Sequence, residues 1–106
     1  MQVLFDQGTP APLRQLLTGH VVSTAFERGW STLKNGDLLE AAEQAGFTVL
    51  VTTDTNLKYQ QNLATRRIAV VVLSTTRWSR IQAAGAQVLA AVDQAGAGSD
   101  AEVSIP

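Results

Sequence analysis

Apolar residues occur along this chain in short runs that alternate with longer segments of helical period. The runs are QVLF at 2–5, HVV at 20–22, FTVLVTT at 47–53, IAVVVL at 68–73 and AEVSI at 101–105. Each has the length of a strand, and the fourth has no polar residue at all, which is typical of a central strand covered on both faces. The pattern therefore predicts five strands.

The intervening segments predict helices. In the segment 9–19, Thr9 is a suitable cap, Gly19 a suitable exit, and Leu13, Leu16 and Leu17 form one apolar stripe. Further helices are predicted at 37–46, at 55–66 and at 79–96, the last with a weak point at Gly85. Segment 23–36 has no clear period and is predicted to be a loop.

This alternation of strands and helices predicts an α/β domain with a mainly parallel sheet of about five strands and helices on both faces. The chain has 106 residues, which suits one domain over 1–106, with 93–106 as an edge strand or a flexible tail. No apolar stretch approaches the ~18–20 residues of a membrane span. Without cysteines the chain has no disulfides or thiolate metal sites, and a cytoplasmic location is the default expectation.

Two of the apolar runs end on an aspartate, Asp6 after the first strand and Asp54 after the third. The carboxyl ends of parallel strands lie along one edge of a sheet, where α/β proteins bind their ligands. Carboxylates brought together there repel each other unless a cation lies between them, and Mg²⁺ prefers such oxygen ligands. The pattern thus suggests a shared metal site that acts on a phosphodiester.

Each acid also has a local explanation. Asp6 could form an Asx-type turn before Gly8, and Asp54 could cap the helix that follows it. Asp37 could be a first-turn acid that the helix dipole favours, and Glu27 a solvated loop residue. His20, the only histidine, is interpreted as structural.

Three segments taken together resemble a known group of proteins. They are LFDQGTPAPLRQLL, ERGWSTLKNGDLLEAAEQAGF and VLVTTDTNLKYQQNLATRRIAVVVLST. Their order and spacing, above all TTDTNLKYQQNL, resemble the PIN-like proteins of bacteria, which are small relatives of the PIN-domain nucleases. The similarity extends from about residue 2 to residue 95. Some members of this group are toxins of toxin–antitoxin pairs.

The resemblance implies a three-layer α/β/α Rossmann-like sandwich and cleavage of single-stranded RNA with Mg²⁺ or Mn²⁺. It implies that Asp6, Asp37 and Asp54 are catalytic metal ligands, with Glu27 as a fourth candidate. An antitoxin partner and a homodimer are further expectations from the group. Two positions depart from the pattern of the PIN-like group, because Gln7 and Asn56 stand where related proteins often have acids. Both amides can still hold water or a phosphate.

Other polar residues flank the predicted strand ends. Thr9 lies near the first of them, and Lys58 or Arg77 could contact phosphates. Tyr59 or Trp78 could stack on a base, or be partly buried core residues instead. Trp30 could contact a partner or fill a gap in the core.

Three function hypotheses follow. The first is a metal-dependent ribonuclease. The second is a binding module that keeps the fold but cleaves nothing, as Gln7 and Asn56 would allow. The third is a phosphoacceptor domain with Asp54 as the acceptor, which the absence of a second acid after Asp6 and of a lysine beyond Lys58 disfavours.

Overall fold

Five parallel strands form a single sheet in the computed structural model, which describes residues 1–57 and 62–106. The strands are β1 (Gln2–Phe5), β2 (Val21–Thr24), β3 (Val49–Thr52), β4 (Ala69–Leu73) and β5 (Asp100–Val103). Their spatial order is β2-β1-β3-β4-β5, and every neighbouring pair is parallel. The predicted α/β class and the parallel five-stranded sheet are confirmed.

The strand order determines where the site lies. From β1 the chain moves outward to β2, then crosses back over β1 to continue at β3. The direction of winding therefore reverses between β1 and β3. In open α/β sheets, the crevice outside the carboxyl ends of the strands at such a reversal is the usual ligand site. Asp6 and Asp54 follow the two strands that border this position.

Helices cover both faces of the sheet. One face is covered by a 3₁₀ helix (Ala11–Leu16), α2 (Trp78–Ala83) and α3 (Gly85–Asp93), and the other by α1 (Asn35–Gln44) and a 3₁₀ helix (Leu63–Thr65). The two faces bury separate apolar clusters, with Val3 and Phe5 on the first side and Leu4 on the second. Alternate residues of β1 thus enter opposite cores, as the strand period requires.

The predicted helix over 9–19 is wrong in type and length, because only Ala11–Leu16 is helical and its geometry is 3₁₀. Pro12 lies in the first turn, where a helix tolerates proline, so it does not explain the 3₁₀ geometry. The apolar stripe is nevertheless used, since Leu13 and Leu17 are buried and Leu16 packs against them. Thr9 does not cap this helix.

The segment 79–96 also differs from a single helix. It begins at Trp78 and divides at Ala84 into α2 and α3. Gly85 lies so close to the 3₁₀ helix that a Cβ built on it would stand 2.8 Å from Leu16 Cδ1. The weak point predicted at Gly85 is therefore a close approach between two packed elements, where a larger residue would require the Leu16 side chain to shift.

Of the described residues in the predicted helix over 55–66, only Leu57 is α-helical. Thr55 and Asn56 lie in a turn, and Leu63–Thr65 is a short 3₁₀ helix, so the predicted bounds are wrong. Residues 58–61 lie outside the described residues. The other helical prediction, 37–46, corresponds to α1, which ends before Gly46, a residue with a φ of +90°.

Both described tryptophans pack against the core. Trp78 contacts the cluster beneath α2 and α3. Trp30 meets Phe47 edge to face, with ring centroids 6.1 Å apart, and the Arg28 guanidinium lies 4.9 Å from the Trp30 centroid. The core interpretation holds for both residues, so neither presents a free ring at the sheet edge.

His20 connects three elements at the amino end of the sheet. One ring nitrogen, Nε2, lies 2.6 Å from Asp93 Oδ1 at the end of α3, and Nδ1 lies 3.3 Å from the amino group of Met1. The imidazole is largely buried. These contacts support the structural interpretation of this histidine.

Glu43 fastens α1 to the start of β4. Its Oε1 accepts a hydrogen bond from Arg66 Nη1 at 2.8 Å, and Oε2 accepts from the backbone N–H groups of Arg67 and Ile68. Burial opposes ionisation, but these hydrogen bonds outweigh it, so the pKa of the Glu43 carboxyl lies below its ordinary value. The side chain is only 11% exposed.

We expect Glu43→Gln to lower the unfolding free energy by about 1–2 kcal/mol at pH 7, since a charge-assisted hydrogen bond is lost. Because the folded pKa of Glu43 is depressed, its contribution is present above the unfolded pKa and disappears as the pH falls through the folded value. Urea unfolding at pH 7 and at pH 3.5 should therefore show the difference between wild type and variant shrinking in acid. Glu40→Gln, an exposed position on the same helix, is the matched control. A difference that stays constant with pH would contradict this assignment.

Candidate functional site at the carboxyl edge of β1 and β3

Asp6 begins the loop that leaves β1. Its backbone N–H donates to the Val51 carbonyl at 3.2 Å, which continues the pairing with β3 by one residue. Both side-chain oxygens are engaged: Oδ1 accepts from the Thr9 hydroxyl at 2.6 Å, and Oδ2 accepts from the Thr52 hydroxyl. The carboxylate is therefore partly buried and held in one orientation.

The Asp6 loop is docked tightly on the end of β3. The Thr9 hydroxyl, which is buried, lies 3.0 Å from the Val51 carbonyl as well as near Asp6. At Gly8, a Cβ would stand 2.6 Å from Thr53 Oγ1, so a larger residue would require the Thr53 side chain or the loop to shift. The chain turns after Asp6 through a backbone hydrogen bond, from the Thr9 N–H to the Asp6 carbonyl at 3.2 Å. An Asx-type turn would use the Asp6 carboxylate instead, whose described partners are the hydroxyls of Thr9 and Thr52.

Asp54 follows β3 by two residues and is held from two sides. Its Oδ2 accepts from Asn35 Nδ2 at 2.9 Å, and its Oδ1 accepts from the backbone N–H of Asn56 at 2.9 Å. The second contact is the local turn that sequence alone allows for this aspartate. The first is a long-range contact to the start of α1. Asp54 is thus both a turn residue and a point where two elements meet.

Thr52 joins the two aspartates. Its side chain is 0% exposed, and its hydroxyl donates to Asp6 Oδ2 while it accepts the backbone N–H of Asp54 at 3.0 Å. A single buried hydroxyl therefore lies between the two acidic residues. The contact joins the Asp6 carboxylate to the backbone of Asp54, whose own carboxylate is bonded to Asn35 and Asn56, so a shared site for the two carboxylates stays a prediction.

The predicted metal site also required a third carboxylate, that of Asp37, close to Asp6 and Asp54. Across residues 1–57 and 62–106, no three His, Cys, Asp or Glu side chains are grouped closely enough to hold a metal ion. Asp37 is exposed in the first turn of α1, and the residue of this turn that reaches Asp54 is Asn35. The three-carboxylate ligand set of Asp6, Asp37 and Asp54 is therefore not assembled in this part of the chain.

Glu27 has a structural role. It forms a capping box with Thr24, in which the Thr24 N–H donates to Glu27 Oε1 at 2.9 Å and the Glu27 N–H donates to Thr24 Oγ1 at 3.1 Å. Arg14 pairs with the same carboxylate oxygen. The Arg14 hydrogen bond, followed by the one from Thr24, lowers the pKa of the Glu27 carboxyl. The fourth predicted metal ligand is thus engaged in fixing the turn after β2.

A cleft of about 420 Å³ opens beside Asp6. It is lined by the loop after β1 and by the start of the turn after β2, namely Asp6, Gln7, Gly8, Thr9, Pro10, Ala11, Thr24 and Phe26. Gln7 is exposed here, as its predicted role in binding substrate requires. Phe26 stands at the rim with 74% of its surface exposed.

Two other predicted substrate contacts, Asn56 and Arg77, do not line this cleft. Asn56 is exposed and contributes its backbone N–H to Asp54. Arg77 is exposed immediately before α2, beyond the end of β4, where its backbone N–H donates to Thr75 Oγ1 at 3.2 Å. Lys58 and Tyr59 lie outside the described residues.

Three residues of this site were not expected from the sequence. Thr52 and Asn35 are the direct partners of the two aspartates, and Phe26 borders the cleft. A signal existed for Thr52, because it is the polar residue that ends an apolar strand just before Asp54. Nothing comparable marks Asn35 or Phe26, which belong to a segment without period.

Comparisons with protein-family models, with curated proteins and with solved structures found no match for this chain. Among the described residues, no helix is long and apolar enough to cross a membrane. The resemblance to PIN-like proteins therefore stays a prediction, and the function has to be argued from the site.

Proposed function

We propose that this protein is a Mg²⁺- or Mn²⁺-dependent ribonuclease of PIN-like type that cleaves single-stranded RNA, with Asp6 and Asp54 as its two central carboxylates. The observation that carries the proposal is the Thr52 hydroxyl, which links both aspartates at the reversal point of the sheet. This hydroxyl is fully buried, donates to the Asp6 carboxylate and accepts the backbone N–H of Asp54, so it fixes the Asp6 side chain relative to the segment that carries Asp54.

The donor set suits a hard divalent cation. Mg²⁺ is commonly bound through one or two carboxylates, several waters and substrate phosphates. Each side-chain oxygen of Asp6 and Asp54 accepts one hydrogen bond from the described residues, while a carboxylate oxygen has two acceptor sites. Asp6 and Asp54 would hold the ion. When bound, it would supply an activated water and neutralise charge at the phosphodiester.

The protein's own residues would supply orientation and binding. Thr52 and Thr9 fix the rotamer of Asp6, and Asn35 fixes that of Asp54. Gln7 lies in the cleft with polar groups for a substrate, and Arg77 and Lys58 are the proposed phosphate contacts. We extend the proposal to a toxin with an antitoxin partner and to a homodimer, which rest on the resemblance alone, and to a cytoplasmic location, which is the default for a chain without cysteines.

A second candidate is a PIN-like binding module that does not cleave. Two observations favour it: the described residues hold no group of three acids, and all four side-chain oxygens of Asp6 and Asp54 already accept hydrogen bonds. In that case the two aspartates would organise the loops of a binding cleft, and the neutral Gln7 and Asn56 would be in keeping with such a role.

A cleavage assay separates the two candidates. We expect purified protein with 1–10 mM Mn²⁺ (an order-of-magnitude range for weak carboxylate sites) to cut a labelled single-stranded RNA, and EDTA to stop the reaction. Mn²⁺ should also raise the melting temperature, because a ligand of the folded state stabilises it. Binding of RNA without cleavage in Mg²⁺, Mn²⁺ and Co²⁺ would support the binding module instead.

A further inference from the structure

Phe26 is an aromatic side chain that the fold leaves in solvent. It is 74% exposed, far more than the two tryptophans, which pack against the core. The described residues offer other apolar positions of this kind only at Met1 and Val21, and neither of these lines the cleft beside Asp6. Among the described residues, Phe26 is thus the exposed aromatic residue next to the proposed reaction site.

The backbone around Phe26 is fixed on both sides. The Ala25 N–H donates to the Phe5 carbonyl at 2.8 Å, and the Trp30 N–H donates to the Ala25 carbonyl at 2.8 Å. Within the turn, the capping box of Thr24 and Glu27 closes one side, and the Arg14 pair ties it to the 3₁₀ helix. The backbone of Phe26 is therefore held at the surface by a well-bonded turn, with the side chain in solvent.

Phe26 also separates two adjoining clefts. One contains Asp6 and Gln7, and the other, of about 480 Å³, runs along the 3₁₀ helix past Arg14 and Gln15. A ligand that covers Phe26 would need a flat apolar surface and polar edges, with an attached group able to extend toward Asp6. A nucleobase on a sugar–phosphate chain has this combination, and aromatic side chains commonly stack on unpaired bases.

We infer that Phe26 is the stacking platform for one base of a single-stranded nucleic acid whose adjacent phosphate lies at Asp6. This inference rests on the proposed function, since that function places a phosphodiester at the cleft. It adds a residue that touches substrate, a requirement for unpaired bases, and a direction of the strand along the two clefts. The exposed amide of Gln7 lies on the same cleft wall and offers a donor and an acceptor to a base edge.

The test measures binding separately from cleavage. Fluorescence anisotropy would measure the affinity for a labelled eight-nucleotide RNA and for a second strand of the same length with abasic sites. Both titrations would be done in buffer with Ca²⁺, and a gel would verify that both strands stay intact. We expect Phe26→Ala to bind the RNA about 10-fold more weakly, equal to about 1.4 kcal/mol. Its affinity for the abasic strand should equal that of wild type, and Phe26→Tyr should bind the RNA like wild type.

Val21→Ala is the matched control, because it removes an exposed apolar side chain from β2 at a place outside the cleft. In Mn²⁺, cleavage kinetics of Phe26→Ala should show a KM raised by a similar factor and a nearly unchanged kcat. Binding of RNA without cleavage would reject the nuclease and leave the inference standing if the Phe26→Ala loss is present.

Four results would overturn the inference. The first is that wild type and Phe26→Ala bind the RNA with equal affinity, and the second is that Phe26→Ala loses as much affinity for the abasic strand as for the RNA. The third is that wild type binds no RNA. The fourth is that wild type self-associates and that Phe26→Ala abolishes this association while its RNA affinity is unchanged. The last result would assign the ring to a protein interface. Phe26→Ala is not expected to alter the melting temperature, since the side chain is mostly in water already.

Discussion

Asp54→Asn is expected to reduce Mn²⁺-dependent RNA cleavage by about 10³-fold, while the protein stays folded. The carboxylate charge is what a divalent ion would use, and an amide oxygen is a far weaker ligand for Mg²⁺ or Mn²⁺. The expected loss of folding stability is smaller than the loss of activity. The Asn35 and Asn56 N–H groups both point at this side chain, and an amide can accept from only one of them, which costs about 1 kcal/mol.

Asp37→Asn is the matched control for this change. It also removes one carboxylate near the start of α1, but Asp37 is exposed and makes no part of the Thr52 network. Cleavage rates and melting temperatures of both variants should be measured on preparations purified side by side. If Asp54→Asn keeps full activity, the nuclease assigned to this site is rejected, because a contaminating enzyme would behave in that way. If Asp37→Asn loses as much activity, the three-acid site implied by the resemblance is the better description.

The sheet was predictable because each strand is a short apolar run and parallel strands covered on both faces need no polar positions. β4 is the clearest case, with all five residues buried. Helix types were less predictable. Leu13, Leu16 and Leu17 have helical spacing, yet the segment forms six residues of 3₁₀ helix, from which Leu13 and Leu17 are buried and Leu16 packs against the core. Here tertiary packing overrides the periodic pattern.

The candidate site was predictable only in its charged residues. Asp6 and Asp54 could be paired because both follow strands, and topology brings strand ends together. Asn35 could not be chosen over Asp37, because the decision depends on which side chain of the first turn of α1 faces Asp54. The sequence alone favours Asp37, because a charged side chain is the more obvious candidate for a metal ligand. The side-chain direction is set by how α1 packs on the sheet.

Fold and function are connected loosely in this architecture. The order β2-β1-β3-β4-β5 is a common doubly wound arrangement, and its ligands bind at the β1/β3 reversal whatever their chemistry. Phosphoacceptor domains use the same edge with a pair of acids after the first strand. Here Gln7 follows Asp6, and both side-chain oxygens of Asp54 accept hydrogen bonds. The site residues therefore weigh against that class, although the strand order alone does not.

Thr52→Val should have the largest effect on stability among the site variants. Valine has nearly the same shape as threonine, so the 0% exposed position keeps its packing and loses only the hydroxyl. Asp6 Oδ2 then lacks its donor and the Asp54 N–H its acceptor, both in a partly buried setting. Leaving such groups unsatisfied costs about 2–3 kcal/mol, which corresponds to roughly 8–20 °C in melting temperature for a domain of this size.

Thr52→Ser distinguishes the hydroxyl from the rest of the side chain. Serine keeps the donor and acceptor and removes one methyl group, so it should cost about 1 kcal/mol and retain RNA cleavage. Thr52→Val should lose at least about 10-fold in cleavage at a temperature where it is still folded, because Asp6 and Asp54 are no longer held by a common partner.

Thermal unfolding with and without Mn²⁺ adds a second measurement. We expect the Mn²⁺-dependent rise in melting temperature to persist in Thr52→Ser and to shrink in Thr52→Val, since the link organises the two proposed ligands. Equal metal-dependent shifts in both variants would show that the hydroxyl serves the fold alone.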